Sequence, residues 1–186
     1  MFFYLEGLLQ FATILIGVSW QGRPIAGIIH QPFYGHDTQN ANLGRTVWAI
    51  KHIGVFGIKH NPPTKNRCIV TTTRSHPTKL VADAIEAMKP DEVLRVGGSG
   101  YKILQVLDGT ADAYVFASRG TKCWDTCAGE ALLESVGGRL TDMLGDLIVY
   151  EIADSYLNKF GVLAAVQNHT SFLEKVPESV KIGLGK

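Results

Sequence analysis

Charge of one sign is what this sequence lacks: 18 Lys and Arg stand against 17 Asp and Glu, a formal net charge of +1 over 186 residues. Nucleic acids and acidic membranes usually require a basic excess, so neither is expected as a partner. A small anion needs only a local positive patch and stays open. Cysteine is scarce. Cys68, Cys123 and Cys127 are an odd number, and no second Cys/His pair completes a zinc set around the 123/127 spacing. They read as reduced thiols of a cytoplasmic protein, with Cys68 buried in a strand. The apolar run Leu8 to Val18 carries Gln10 and Thr13 and is too short to span a bilayer. No Lys or Arg precedes it, so it lacks the basic start of a signal peptide, and a buried strand is expected there. Repeats and low-complexity segments are absent.

What is present is a hydrophobic fraction of 46%, ample for a core, in a length that suits one domain or parts of two. Phe11 to Ser19 and Pro24 to His30 read as strands joined in a hairpin through Trp20-Gln21-Gly22-Arg23. Gln31 to Gly44 is a polar loop, and Val47 to Ile58 gives one or two more strands broken by Gly54 and Gly57. This part has strand after strand and no helix long enough to cover a face, so an uncovered apolar face is expected. Asn61-Pro62-Pro63-Thr64-Lys65-Asn66 reads as a linker. Beyond it the pattern alternates: strand Arg67 to Thr73, helix Pro77 to Met88, strand Val93 to Val96, helix Tyr101 to Leu107, strand Ala113 to Ala117, helix Thr126 to Val136. Strands at Leu147 to Tyr150 and Gly161 to Val166 follow, and a short helix at Ser171 to Lys175 closes the chain. The expected fold is α/β: an incomplete antiparallel sheet in residues 1–60, then an α/β domain in residues 61–186 with a largely parallel sheet.

Open α/β sheets bind ligands outside the carboxyl ends of their strands. Three strand-to-helix junctions here carry unusual chemistry: Thr73-Arg74-Ser75-His76-Pro77, Gly97-Gly98-Ser99-Gly100-Tyr101-Lys102 and Lys122-Cys123-Trp124-Asp125. Parallel neighbouring strands would bring all three to one edge. The glycines let backbone approach an anion, Ser99 adds a hydroxyl and Lys102 a charge one turn later. An ordinary turn and cap explains the same residues. Pro77 suits the first turn of its helix. Asp125 precedes a helically spaced run and is expected at the N-cap, with Gly137 and Gly138 at the far end. One oxygen would serve the cap while the other is free for a hard cation, and spacing alone leaves cap and ligand both open. His76 alone is more often a surface histidine, Thr73 a strand end and Arg74 a solvated charge.

The stretch Trp124-Asp125, small residues, Leu132-Leu133, Val136-Gly137-Gly138, Leu140-Thr141-Asp142 resembles the second signature of the inositol monophosphatase superfamily, Mg²⁺-dependent, lithium-sensitive phosphatases. Thr71 to His76, Val96 to Lys102 and Val176-Pro177-Glu178-Ser179 resemble its bisphosphate nucleotidase branch. The match runs from about Glu6 to the C-terminus. It implies a layered α+β sandwich of the inositol monophosphatase and sugar phosphatase type, and hydrolysis of adenosine 3',5'-bisphosphate to AMP. It also implies a pocket made by Thr73, His76, Gly98, Lys102 and Asp125, with Asp125 a Mg²⁺ ligand. Ser99 joins them by its place in the loop. Leu107-Asp108-Gly109-Thr110 looks like the end of the first metal signature, Asp-Pro-x-Asp-Gly-Thr, but lacks its first half and is expected to be a turn. The true first signature is expected just before Glu6, where Met1 to Leu5 do not carry it. The catalytic groups would therefore lie upstream of Met1. Two readings follow: a nucleotidase whose sequence is incomplete, or a non-catalytic fragment with residual nucleotide binding. An enzyme of the inositol-polyphosphate 1-phosphatase kind, acting on inositol phosphates, is the third.

Overall fold

The structure is a computed structural model and describes residues 7–38, 43–59, 61, 67–151 and 155–185. The expected linker falls largely on residues 62–66, outside the described residues. The first sheet is antiparallel, in the order β1 (Ile14–Trp20), β2 (Arg23–Gln31), β3 (Arg45–Ile50) and β4 (Gly54–Phe56). Gln21 and Gly22 both take positive φ, 49° and 72°, which gives the expected hairpin the turn twist its strands need. Its register slips between Val18 and Ser19, where the partner is Pro24, a residue with no N–H to donate.

The two faces of this sheet differ sharply. Leu15, Ile29, Val47, Ala49 and Val55 point inward, and a helix, α3 (Cys123–Glu134), packs on them. The paired glycines Gly17 and Gly27 make this close approach feasible. A Cβ on Gly17 would lie 2.6 Å from Cys127 Sγ, and one on Gly27 would strike the Ala128 backbone. On the other face the row Ile16, Ile28, Trp48, Phe56 is in register across all four strands, with Trp48 stacked on Phe56 at 4.3 Å. These side chains are exposed, Ile16 by 54% and Trp20 beyond it by 67%. The run expected to be a buried strand is therefore not buried: in β1 only Leu15 is partly covered, and the other residues are exposed. It also starts later than expected, because Leu9–Phe11 forms a 3₁₀ turn.

The second sheet has the order β6 (Glu92–Val96), β5 (Ile69–Thr73), β7 (Ala113–Phe116), β9 (Val162–Ala165), β8 (Arg139–Thr141). β6, β5 and β7 run parallel, while β9 and β8 pair antiparallel, so the expectation of a largely parallel sheet holds for three strands of five. Leu147 to Tyr150 is not a strand. It is a loop tied to the first hairpin, with Arg23 Nη1 donating to Ile148 O at 2.6 Å and Tyr150 N–H to Gly22 O at 3.0 Å. β8 takes the sheet position that the sequence pattern did not mark. Cys68 is half-buried and lies just ahead of β5 rather than inside it.

The helices are α1 (Lys79–Met88), α2 (Ser99–Leu107), α3, α4 (His169–Glu174) and α5 (Glu178–Leu184). α1 buries Val81, Ala84, Ile85 and Met88, as its spacing predicts. Its cap is Thr78, whose hydroxyl accepts from Val81 N–H at 3.2 Å, so Pro77 lies before the cap rather than in the first turn. α5, started by Pro177, has no counterpart in the sequence reading. α2 and α3 pack on each other; α3 also lies against β1, β2, β3 and β8, and α2 against β5, β7 and β9. Gly129 sits at the helix crossing, where a Cβ would come within 2.8 Å of Ile103. The result is the layered α/β sandwich expected. Among the described residues no helix is long and apolar enough to cross a membrane.

Candidate functional site

β5, β6 and β7 are parallel, so Thr73, Val96 and Phe116 end at one edge, and Thr73 pairs directly with Val96. The turns that follow enclose a cavity of about 180 Å³. All six residues singled out in the sequence line it: Thr73, His76, Gly98, Ser99, Lys102 and Asp125.

Gly98 is the N-cap of α2 at φ 74°, and a Cβ there would stand 2.9 Å from Phe11 O. Only glycine meets both demands at once. The Ser99 hydroxyl donates to Asp125 O at 2.8 Å, which ties the start of α2 to the first turn of α3. Its hydrogen is therefore engaged, although the oxygen still accepts. Thr73 is buried at the strand end, and His76 is exposed, with Nδ1 2.9 Å from Ser75 Oγ.

Lys102 is the unusual group. It is 4% exposed, its Nζ donates to Gly98 O at 2.8 Å, and it lies 5.0 Å over the Tyr114 ring. Burial pulls its pKa down to about 8, against an opposing pull from Asp125. Burial also makes the Tyr114 phenol harder to ionise.

Asp125 is not the cap. α3 begins at Cys123 with Lys122 at N-cap, which puts Asp125 at N3. Its Oδ2 accepts the Lys122 N–H at 2.7 Å, half of a capping box. The other half is missing, because a lysine side chain has no acceptor. Asp125 Oδ1 has no hydrogen-bond partner among the described residues. At the far end of α3 only Gly137 has positive φ, 82°, and Gly138 N–H closes the turn on Leu133 O at 2.8 Å.

The sequence marks β7 as a strand but singles out no site residue in it or in the loop to Thr121, and these supply Tyr114, Phe116 and Thr121 to the cavity wall. Their position at the end of a parallel strand was the available signal. Other carboxylates are engaged elsewhere. Glu130 is buried with Arg23 and the Tyr150 hydroxyl, and Glu134 bridges Arg23 and Lys51. Asp108 is in the expected turn, accepting Thr110 N–H, and Asp142 accepts from Leu144 and Asp146 N–H. Among the described residues no group of three His, Cys, Asp or Glu side chains could hold a metal ion.

Comparison with known proteins gives a consistent picture. A model of the inositol monophosphatase family matches residues 4–181. The chain is 50% identical over 182 residues to the rat protein named 3'(2'),5'-bisphosphate nucleotidase 1, and 48% identical to the human one; the match covers 97% of this chain and 59% of each relative. The chain thus spans about three-fifths of the length of the curated relatives it matches. Among solved structures, SaIMPase-II bound to inositol monophosphate superposes with a TM-score of 0.71 at 18% identity, covering 98% of this chain and 68% of that one. A likeness at that identity shows the fold alone.

Proposed function

Since the chain belongs to the inositol monophosphatase family, we propose that its cavity binds adenosine 3',5'-bisphosphate and that the protein's activity is removal of the 3'-phosphate to give AMP. The observation that carries this reading is Lys102, a buried ammonium at a cavity between two helix starts. An anion in the cavity would stabilise that charge, and the N–H groups of the first turn of α2 point the same way. Half identity to relatives named as bisphosphate nucleotidases supports the nucleotide over other phosphate esters. In this reading Lys102 and the Gly98-Ser99 turn hold phosphate, while Thr73 and His76 position the nucleotide. A cytoplasmic location accords with three free cysteines.

The proposed metal is Mg²⁺. Asp125 fits one ligand position, since one of its oxygens has no hydrogen-bond partner among the described residues. Mg²⁺ is commonly held by one or two carboxylates with water and substrate phosphates filling the rest, and it would neutralise charge on the transferring phosphoryl group. The described residues offer no cluster that would complete the site. What this chain's own groups do is bind and orient: Lys102 neutralises phosphate, and Ser99 fixes the helix starts against each other.

The test is calorimetric titration with adenosine 3',5'-bisphosphate, AMP and inositol 1-phosphate, alongside release of inorganic phosphate in Mg²⁺. Saturable binding of the bisphosphate, weakened about 10- to 100-fold by Lys102→Ala, is expected for loss of a charged hydrogen bond. Inositol 1-phosphate bound in preference to the bisphosphate would overturn the nucleotide reading.

A further inference from the structure

A second cavity, of about 230 Å³, is lined by Tyr101, Leu104 and Gln105 of α2 and by residues 34–37 after β2. Its centre is Arg45, held in a fixed pose. Nε and Nη2 donate to Gln31 Oε1 at 2.9 and 2.5 Å, and the guanidinium lies 4.2 Å over the Tyr34 ring. Gln31 is itself 2% exposed and donates to Gln10 O at 3.3 Å, so the arginine's support is part of the packed structure. Nη1 of Arg45 has no hydrogen bond among the described residues.

Three more polar groups converge on the same space with unmet valence. Gln105 is 7% exposed, and its carbonyl accepts from Thr71 Oγ1 at 2.7 Å, which leaves its amide hydrogens without a described partner. The half-buried Tyr101 keeps its ring against Phe11, and its hydroxyl makes no hydrogen bond to any described residue. Burial, and then Asp108, make that phenol harder to ionise while Arg45 acts the other way, so its oxygen feels both charges. Gln10 Oε1 is a buried acceptor with no donor among the described residues. Buried polar groups left this way are uncommon and call for a partner.

We propose that this cavity is a second ligand site, separate from the phosphate cavity, and that it takes a small amino or hydroxy carboxylate. The carboxylate sits on Arg45 Nη1, the Gln105 amide and the Tyr101 hydroxyl, and the ammonium or hydroxyl faces Gln10 Oε1 and Asp108. A planar, pre-oriented guanidinium suits a carboxylate. Asp37 and Asp108, which also line the cavity, oppose one arginine with two negative charges. A multiply charged phosphate is therefore disfavoured, whereas a ligand carrying its own donor is favoured. The sites share one helix, with Ser99 and Lys102 on one and Tyr101 and Gln105 on the other.

The experiment is calorimetric titration of the full chain with L-serine, L-lactate and, separately, inorganic phosphate. One-to-one binding of L-serine or L-lactate is expected, unchanged in Lys102→Ala, which tests independence from the phosphate cavity. Tyr101→Phe keeps the ring and removes only the hydroxyl, and should weaken binding about fivefold, as one neutral hydrogen bond does. Arg45→Lys loses the stacked fork and should weaken it tenfold or more; if that variant fails to fold, Tyr101→Phe decides. No saturable binding of either carboxylate overturns the proposal. So does wild-type affinity in Tyr101→Phe, or, in Lys102→Ala, phosphate binding more tightly than L-serine. The result is independent of whether adenosine 3',5'-bisphosphate binds at Lys102.

Discussion

Replacing Lys102 by Met should make the protein more stable at neutral pH while weakening anion binding at its cavity. Lys102 is buried, and its pKa falls from 10.5 to about 8 because burial outweighs the nearby Asp125. At about 1.36 kcal/mol per pH unit, holding the ammonium in this position costs about 3 kcal/mol at pH 7. The unfolded chain keeps this proton up to about pH 10.5, whereas the native chain releases it near 8. Between those values the unfolded state binds more protons, so this contribution raises stability as pH increases. Met fills the space of the stem without the charge but loses the hydrogen bond to Gly98 O, worth about 1 kcal/mol. The variant should therefore be about 2 kcal/mol more stable at pH 7, and that advantage should disappear by about pH 10. Urea unfolding of both proteins at pH 7, 8, 9 and 10, in buffer free of metal and phosphate, reads the difference directly. Other groups that titrate in that range, such as the cysteines, cancel in the comparison. A difference constant across pH, or a Met variant less stable at pH 7, would refute the reasoning.

Asp125→Asn keeps an acceptor for Lys122 N–H but loses charge at the start of α3, which should cost no more than about 1 kcal/mol. The proposed Mg²⁺-dependent phosphate release should nonetheless be lost, and near-normal release with unchanged unfolding would leave Asp125 a capping residue only. Gly27→Ala places a methyl against the Ala128 backbone and should destabilise by about 2 kcal/mol, measured by thermal or urea unfolding. Ile16→Lys, on the exposed apolar face of β1, should alter stability by less than about 0.5 kcal/mol. It should also reduce self-association in light scattering; unchanged association would show that this face is not the sticky one.

Much of the order of elements was legible in the sequence, because helical and strand periodicities record which side of each element is buried. The α1 face Val81, Ala84, Ile85, Met88 is one case, and the Gln21-Gly22 hairpin another. The three junctions were legible because glycine, proline and charge cluster at strand ends, and parallel pairing then brings their six residues around one cavity. Helix caps were misread by two or three residues, since Thr78 and Lys122 take their roles from backbone geometry and Asp125 serves the cap from N3. Antiparallel pairing of β9 and β8 was not legible, because a short apolar strand carries no mark of its direction. Likewise, the continuously apolar run of β1 did not say which of its faces would be covered. Gly17 and Gly27 decide that by letting α3 come down on their side. Local sequence determined the elements and the chemistry at their ends. Only tertiary structure decided what Lys102 is, since its depressed pKa comes from burial created by residues far along the chain.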